Sequence, residues 1–139
     1  MFYKTNSTFR IAGLSLMKHE QQLLEVLESL KARDLVVLDV RTISSITDKM
    51  VIVTGSSNRQ IKAMHDALII LSKQLEMPVI GVEGKESYDW VLVDFGDVII
   101  HLMREEARKF YDLEKLWSTQ IPNVEKSFEV HETSYSIDQ

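Results

Sequence analysis

A chain of 139 residues, 45% hydrophobic and 27% charged, fits one soluble globular domain able to bury a core of its own. The absence of cysteine excludes disulfides and thiolate metal sites, and a formal charge of -5 argues against a generic grip on phosphate backbones and leaves a basic protein surface as the better partner. No apolar run approaches the roughly 20 residues that span a bilayer, so a cytoplasmic protein without membrane contact is expected.

Residues 1–16 carry Lys4, Arg10 and several hydroxyls, with no acid before Glu20. Organelle transit peptides share that pattern, but without a cleavage signal or a periodic apolar face the segment reads as a frayed extension, or as the result of an upstream start with Met17 as the true beginning. The domain is expected over 17–119. Leu23, Leu24, Leu27 and Leu30 predict a helix from about His19 to Ala32, and Leu35 to Val40 a strand. Polar Thr42 to Asp48 separates it from a second strand, Met50 to Thr54. After Gly55, a long helix carries Ile61, Met64, Leu68, Leu71 and Leu75 on one face, with Pro78 as its stop. Val79 to Val82 predicts a short third strand and Glu83 to Asp89 a polar loop.

Residues 90–103 predict a tight hairpin. With Gly96 and Asp97 as its two-residue loop, Phe95 faces Val98, Asp94 faces Ile99, Leu92 faces His101 and Trp90 faces Met103. Strand alternation then puts Val91, Val93, Phe95, Val98, Ile100 and Leu102 on one face, which is a core face. Trp90, Leu92, Asp94, Ile99, His101 and Met103 share the other. That set is too apolar for free solvent and too polar for an ordinary core, the composition of a docking surface. A final helix from about Glu105 to Trp117 should bury Phe110, Leu113 and either Leu116 or Trp117, ahead of a polar tail over 120–139. The order α-β-β-α-β-β-β-α gives an α/β (α+β) domain with a single mixed five-stranded sheet and packed helices.

Thr47 to Gln60, Val82-Glu83-Gly84, Trp90 to His101, and Arg108 to Trp117 closely resemble four blocks, in order, of the Iojap-like ribosomal silencing factor family (RsfS). The likeness runs from about Leu23 to Ser118. It implies a fold similar to a minimal nucleotidyltransferase and an activity of binding large-subunit ribosomal protein fourteen, so blocking the joining of the small subunit. The hairpin is then the contact region, with Trp90, Leu92, Asp94, Phe95, Ile99, His101 and Met103 as the expected partner-binding residues. Where the family usually has an aromatic pair after the Asp of its first block, this chain has Lys49 and Met50.

Enzymatic alternatives have weaker signals. Gly55-Ser56-Ser57 ahead of a helix could cradle phosphate in a small nucleotide-binding or nucleotidyltransferase-type enzyme, yet Ser57 with Gln60 also spells a capping box, which needs no ligand. No Asp-x-Asp pair is present to clamp magnesium, and Asp94 and Asp97 straddle a turn. His101 with Asp94 could be a base and its orienting carboxylate, but no nucleophile shares the face, and a structural or interface hydrogen bond is the simpler role. His19, His65 and His131 lack ligand spacing and read as surface or helix-face residues. Glu105, Arg108, Asp112 and Lys115 read as a solvated face. Arg59 and Lys62 could make minor contacts with ribosomal RNA, with solvent as the default. No cofactor or metal is expected, and a homodimer through an uncovered sheet edge remains open.

Overall fold

The computed structural model describes residues 17–118, so the extension expected over 1–16, the tail and His131 lie outside the described residues. The elements in chain order are α1 (Lys18–Ser29), β1 (Arg33–Asp39), β2 (Lys49–Gly55), α2 (Asn58–Gln74), β3 (Gly81–Glu83), β4 (Trp90–Asp94), β5 (Val98–Arg104), α3 (Glu105–Tyr111) and α4 (Leu113–Ser118). They build one five-stranded sheet in the order β1-β2-β5-β4-β3. Every pairing is antiparallel except β2 with β5, so the sheet is mixed and the fold is α+β.

Both long helices end by backbone chemistry legible in the hydrogen bonds. Lys31 takes the left-handed conformation at φ 70°, and the N–H groups of Lys31 and Ala32 donate to the carbonyls of Glu28 and Leu27. Glu76, at φ 59°, repeats the motif at the end of α2, with Glu76 and Met77 donating to Lys73 and Ser72. The long helix therefore stops before Pro78 is reached; the proline prevents its resumption.

The sheet has a core on each face. On the first, Leu23, Leu24 and Leu27 of α1 and Ile61, Met64 and Leu68 of α2 pack against Val37, Val51, Val53, Val91, Val93, Ile100 and Leu102. Each fully buried side chain of this kind stabilises the fold by roughly 1.5–3 kcal/mol. On the second, Val36, Leu38, Val40, Met50, Ile52 and Met103 are roofed by Ala107 of α3 and by Leu113 and Trp117 of α4. Interior strand β2 is buried along its whole length because both faces are covered.

The C-terminal helix departs from expectation. It breaks at Asp112, which adopts φ 45° and accepts the Lys115 N–H on its side chain, ending one helix and starting the next. Phe110, expected in the core, is 78% exposed, and of the alternatives Leu116 and Trp117 it is Trp117 that packs inward. Arg108, expected in solvent, is buried. Its guanidinium meets Glu114 across the break and donates to Thr54 Oγ1 at 2.8 Å. A second buried pair joins α1 to β2, with Lys49 Nζ 3.2 Å from Glu20. Lys49 thus points to the α1 side, where it pairs with Glu20, and Met50 into the second core, so neither side chain is presented to a partner.

Candidate functional site

The hairpin has the register its turn demands. Trp90 pairs with Met103, Leu92 with His101 and Asp94 with Ile99, while Gly96 supplies the positive φ of 94°. Parity then separates the two faces as the alternation predicts, and all six core-face residues join the α1–α2 core. On the other face, α3 and α4 cover the β1–β2 half and reach only as far as Trp90 and Met103. Leu92, Asp94 and Ile99 lie beyond that roof and keep access to solvent. An apolar pair beside a carboxylate, on a rigid sheet, is a surface suited to a basic protein.

Three expected binding residues do not present surface. Met103 is fully buried beneath α3 and α4, and Phe95 belongs by parity to the opposite core, 7% exposed. His101 is also buried. Its role is to hold a neighbour: Trp90 Nε1–H donates to His101 Nδ1 at 2.9 Å. Burial pulls the imidazole pKa down to about 4, so the ring is neutral at pH 7. Asp94 is not its orienting carboxylate, because Asp94 Oδ1 accepts the Gly96 N–H at 2.8 Å and serves the turn.

Further contacts complete the setting of Trp90. Tyr111 of α3 lies against the indole with ring centroids 4.7 Å apart, and Phe110 meets Tyr111 edge-on at 4.8 Å. Sequence reasoning missed Tyr111. The available signal was that adjacent helix residues cannot face the same way, so Phe110-Tyr111 had to leave one ring off the core. The loop before Trp90 is tied to α2: Asn58 Nδ2 donates to the Ser87 carbonyl at 2.7 Å and to Asp89 Oδ1 at 2.8 Å, and the Arg104 N–H donates to the Asp89 carbonyl. Tyr88, strained at φ 61°, sits against His65 and Lys62.

The Gly-Ser loop is closed on itself. Ser57 Oγ accepts the Gln60 N–H at 3.0 Å, while Gln60 Oε1 accepts both the N–H of Ser56 at 2.5 Å and its hydroxyl at 2.8 Å. The other end of Gln60 donates to the Leu30 and Lys31 carbonyls. The return bond reaches one residue upstream of the usual capping box, and it engages the N–H and hydroxyl of Ser56 without any ligand. Asp97 is an exposed turn residue whose carbonyl accepts the N–H groups of Asp48 and Lys49. Lys62 pairs with Asp66 at 2.9 Å, Arg59 and His19 are exposed, and His65, expected at the surface or on a helix face, is on the buried side of α2 with Nδ1 2.9 Å from Asp66. The sheet edges are β1 and β3.

The family described as "Ribosomal silencing factor during starvation" matches residues 15–138, beyond the span of the four blocks at both ends. A ribosomal silencing factor of Haemophilus influenzae is 50% identical over 96 residues, covering 69% of this chain and 94% of that protein. One from Chromobacterium violaceum is 41% identical over 100 residues, covering 72% and 82% respectively. A crystal structure of a Chromobacterium violaceum protein superposes with a TM-score of 0.71 at 37% identity, over 79% of this chain and 92% of that one. With its hairpin face, its mixed sheet and these likenesses together, the chain belongs to the ribosomal silencing factor family.

Proposed function

We propose that this protein binds the large ribosomal subunit in the cytoplasm through ribosomal protein fourteen and blocks joining of the small subunit by occupying the surface that a bridge between subunits would use. The observation that carries the reading is the unroofed part of the second sheet face, where Leu92 and Ile99 flank Asp94 and Trp90 stands at the edge of the roof. Steric exclusion requires binding energy and no chemistry. A cluster with a half-buried Trp at its edge has the composition of an interface hot spot, and the carboxylate suits a basic ribosomal surface. The regulatory names of the relatives agree with a non-catalytic role, and the hydrogen bonds between Gln60 and Ser56 give the Gly-Ser loop a capping role that needs no ligand. The test is co-sedimentation with purified subunits. The protein should pellet with the large subunit alone and lower the yield of joined ribosomes in proportion to its dose. Equal binding to both subunits, or undiminished joining at saturation, would refute the reading.

A further inference from the structure

Trp90 is a donor-only side chain at the rim of an open face, and a free indole there would sample several rotamers and point its N–H at water. In this fold it does neither. Its N–H is directed inward, 2.9 Å from His101 Nδ1, and Tyr111 closes on the ring from the side of α3. Because the indole nitrogen can only donate, Nδ1 must be the accepting nitrogen, which places the imidazole proton on Nε2. The surroundings favour that state. His101 lies beside Ile52 of β2 and opposite Leu92 of β4, and the hydrogen bond of Asp94, the carboxylate on this face of the hairpin, goes to the Gly96 N–H.

We propose that His101 is the positioning residue of the binding face: as a neutral acceptor held beneath the surface, it fixes the Trp90 indole in the orientation that meets the partner, without touching the partner itself. The inference rests on the reading of this face as the ribosome-binding surface. It adds that the affinity depends on a group 5% exposed, through the rotamer of its neighbour. Ordering a large side chain before binding saves the entropy of ordering it on contact, so pre-orientation appears as affinity. The identity of the accepting atom matters as well. Asparagine places an amide oxygen close to where Nδ1 stands and can accept the same hydrogen bond, whereas leucine fills the space and accepts nothing.

The experiment compares the full chain with Trp90→Ala, His101→Leu and His101→Asn in a large-subunit binding titration, each variant accompanied by a thermal melt. Nitrogen NMR of the labelled parent reads the His101 ring and the exchange of the Trp90 indole proton. His101→Leu should bind about five- to tenfold more weakly, the worth of one hydrogen bond, and His101→Asn should return to within about threefold of the parent. The parent should show an unprotonated Nδ1 and a slowly exchanging indole proton. If Trp90→Ala weakens binding but His101→Leu does not, or if His101→Asn fails to restore it, the positioning role is overturned while the binding face stands. If Trp90→Ala binds as tightly as the parent, the face itself is misread and this proposal falls with it. Should His101→Leu fail to fold, NMR decides alone: a protonated Nδ1 or a freely exchanging indole overturns the proposal, and the opposite pair of signals supports it.

Discussion

Arg108 and Glu114 form a buried ion pair across the break in the C-terminal helix, with Nη2 2.5 Å from Oε2 and both side chains nearly without solvent. The same guanidinium bonds Thr54 of β2, so one arginine ties α3, α4 and an interior strand together. This knot seats the roof whose edge carries Tyr111. Removing one partner leaves a buried charge uncompensated, and Glu114→Ala should cost about 3–5 kcal/mol. Replacing both together, as Arg108→Met with Glu114→Leu, should cost much less, because the penalty lies in the orphaned charge. Urea unfolding of the single and double variants measures the difference; equal losses would show that the pair is not acting as a unit.

The depressed pKa of His101 makes stability fall in mild acid. The folded group titrates near 4 and the unfolded one near its ordinary 6.5, so the unfolded chain binds more protons between those values. His101 therefore carries no penalty above pH 6.5. The folded state then loses stability as pH falls toward 4, by on the order of 3 kcal/mol in total. Asp39 acts in a lower window: its hydrogen bond to Arg41 holds the carboxyl below its usual value, and that contribution is lost only as pH drops beneath the ordinary carboxylate range. Denaturant melts from pH 7.5 to 4 should show the decline in the parent and a flatter profile in His101→Asn. A parent as stable at pH 4.5 as at 7 would contradict the burial argument.

The Ser57 cap gives a local prediction. Its hydroxyl satisfies the Gln60 N–H at the start of α2, so Ser57→Ala should lower stability by about 0.5–2 kcal/mol and leave large-subunit binding intact. Gln60→Ala should be at least as costly, since that one amide also holds the Ser56 N–H and the Leu30 carbonyl. Chemical denaturation with a parallel binding titration reads both. A stable Ser57→Ala variant that lost nucleotide binding shown by the parent would revive the phosphate-cradle reading of this loop.

Where local rules were decisive, the sequence was legible. Gly96 selects the turn, the turn selects the register, and alternation then assigns every side chain of β4 and β5 to a face. Partnerships closed only by tertiary structure were not legible. Glu20 and Lys49 are far apart in the chain, and Arg108 meets Glu114 only because Asp112 breaks the helix between them. Periodicity by itself put Phe110 inward and Arg108 outward, because nothing local shows that a buried Glu114 waits to pair with the arginine. The candidate site shows the same division. Trp90, Leu92, Asp94 and Ile99 follow from alternation, whereas the link from Trp90 to His101 needs rotamers, and the burial of Met103 needs the position of the roof.

The last prediction sets the two faces of the hairpin against each other. Leu92→Lys changes a side chain that keeps access to solvent and should leave the fold within about 1 kcal/mol of the parent, whereas Asp94→Lys also loses the bond to the Gly96 N–H and should cost about 1–2 kcal/mol while still folding. Against a basic ribosomal surface the introduced charges repel, and Asp94→Lys also removes the attracting carboxylate, so affinity should drop roughly 30-fold or more. Trp90→Ala should weaken binding by a similar factor and cost some stability as well, since its ring packs on Tyr111 and the second core. Val93 is fully buried between the sheet and the helices of the first face. Val93→Ala should therefore destabilise by about 1–3 kcal/mol through the cavity it leaves, with the molecules that remain folded binding as before. A thermal melt and a large-subunit titration for each variant separate the outcomes. If Leu92→Lys and Asp94→Lys bind normally while Val93→Ala releases the ribosome from a folded protein, the partner approaches elsewhere and the unroofed face is not the interface.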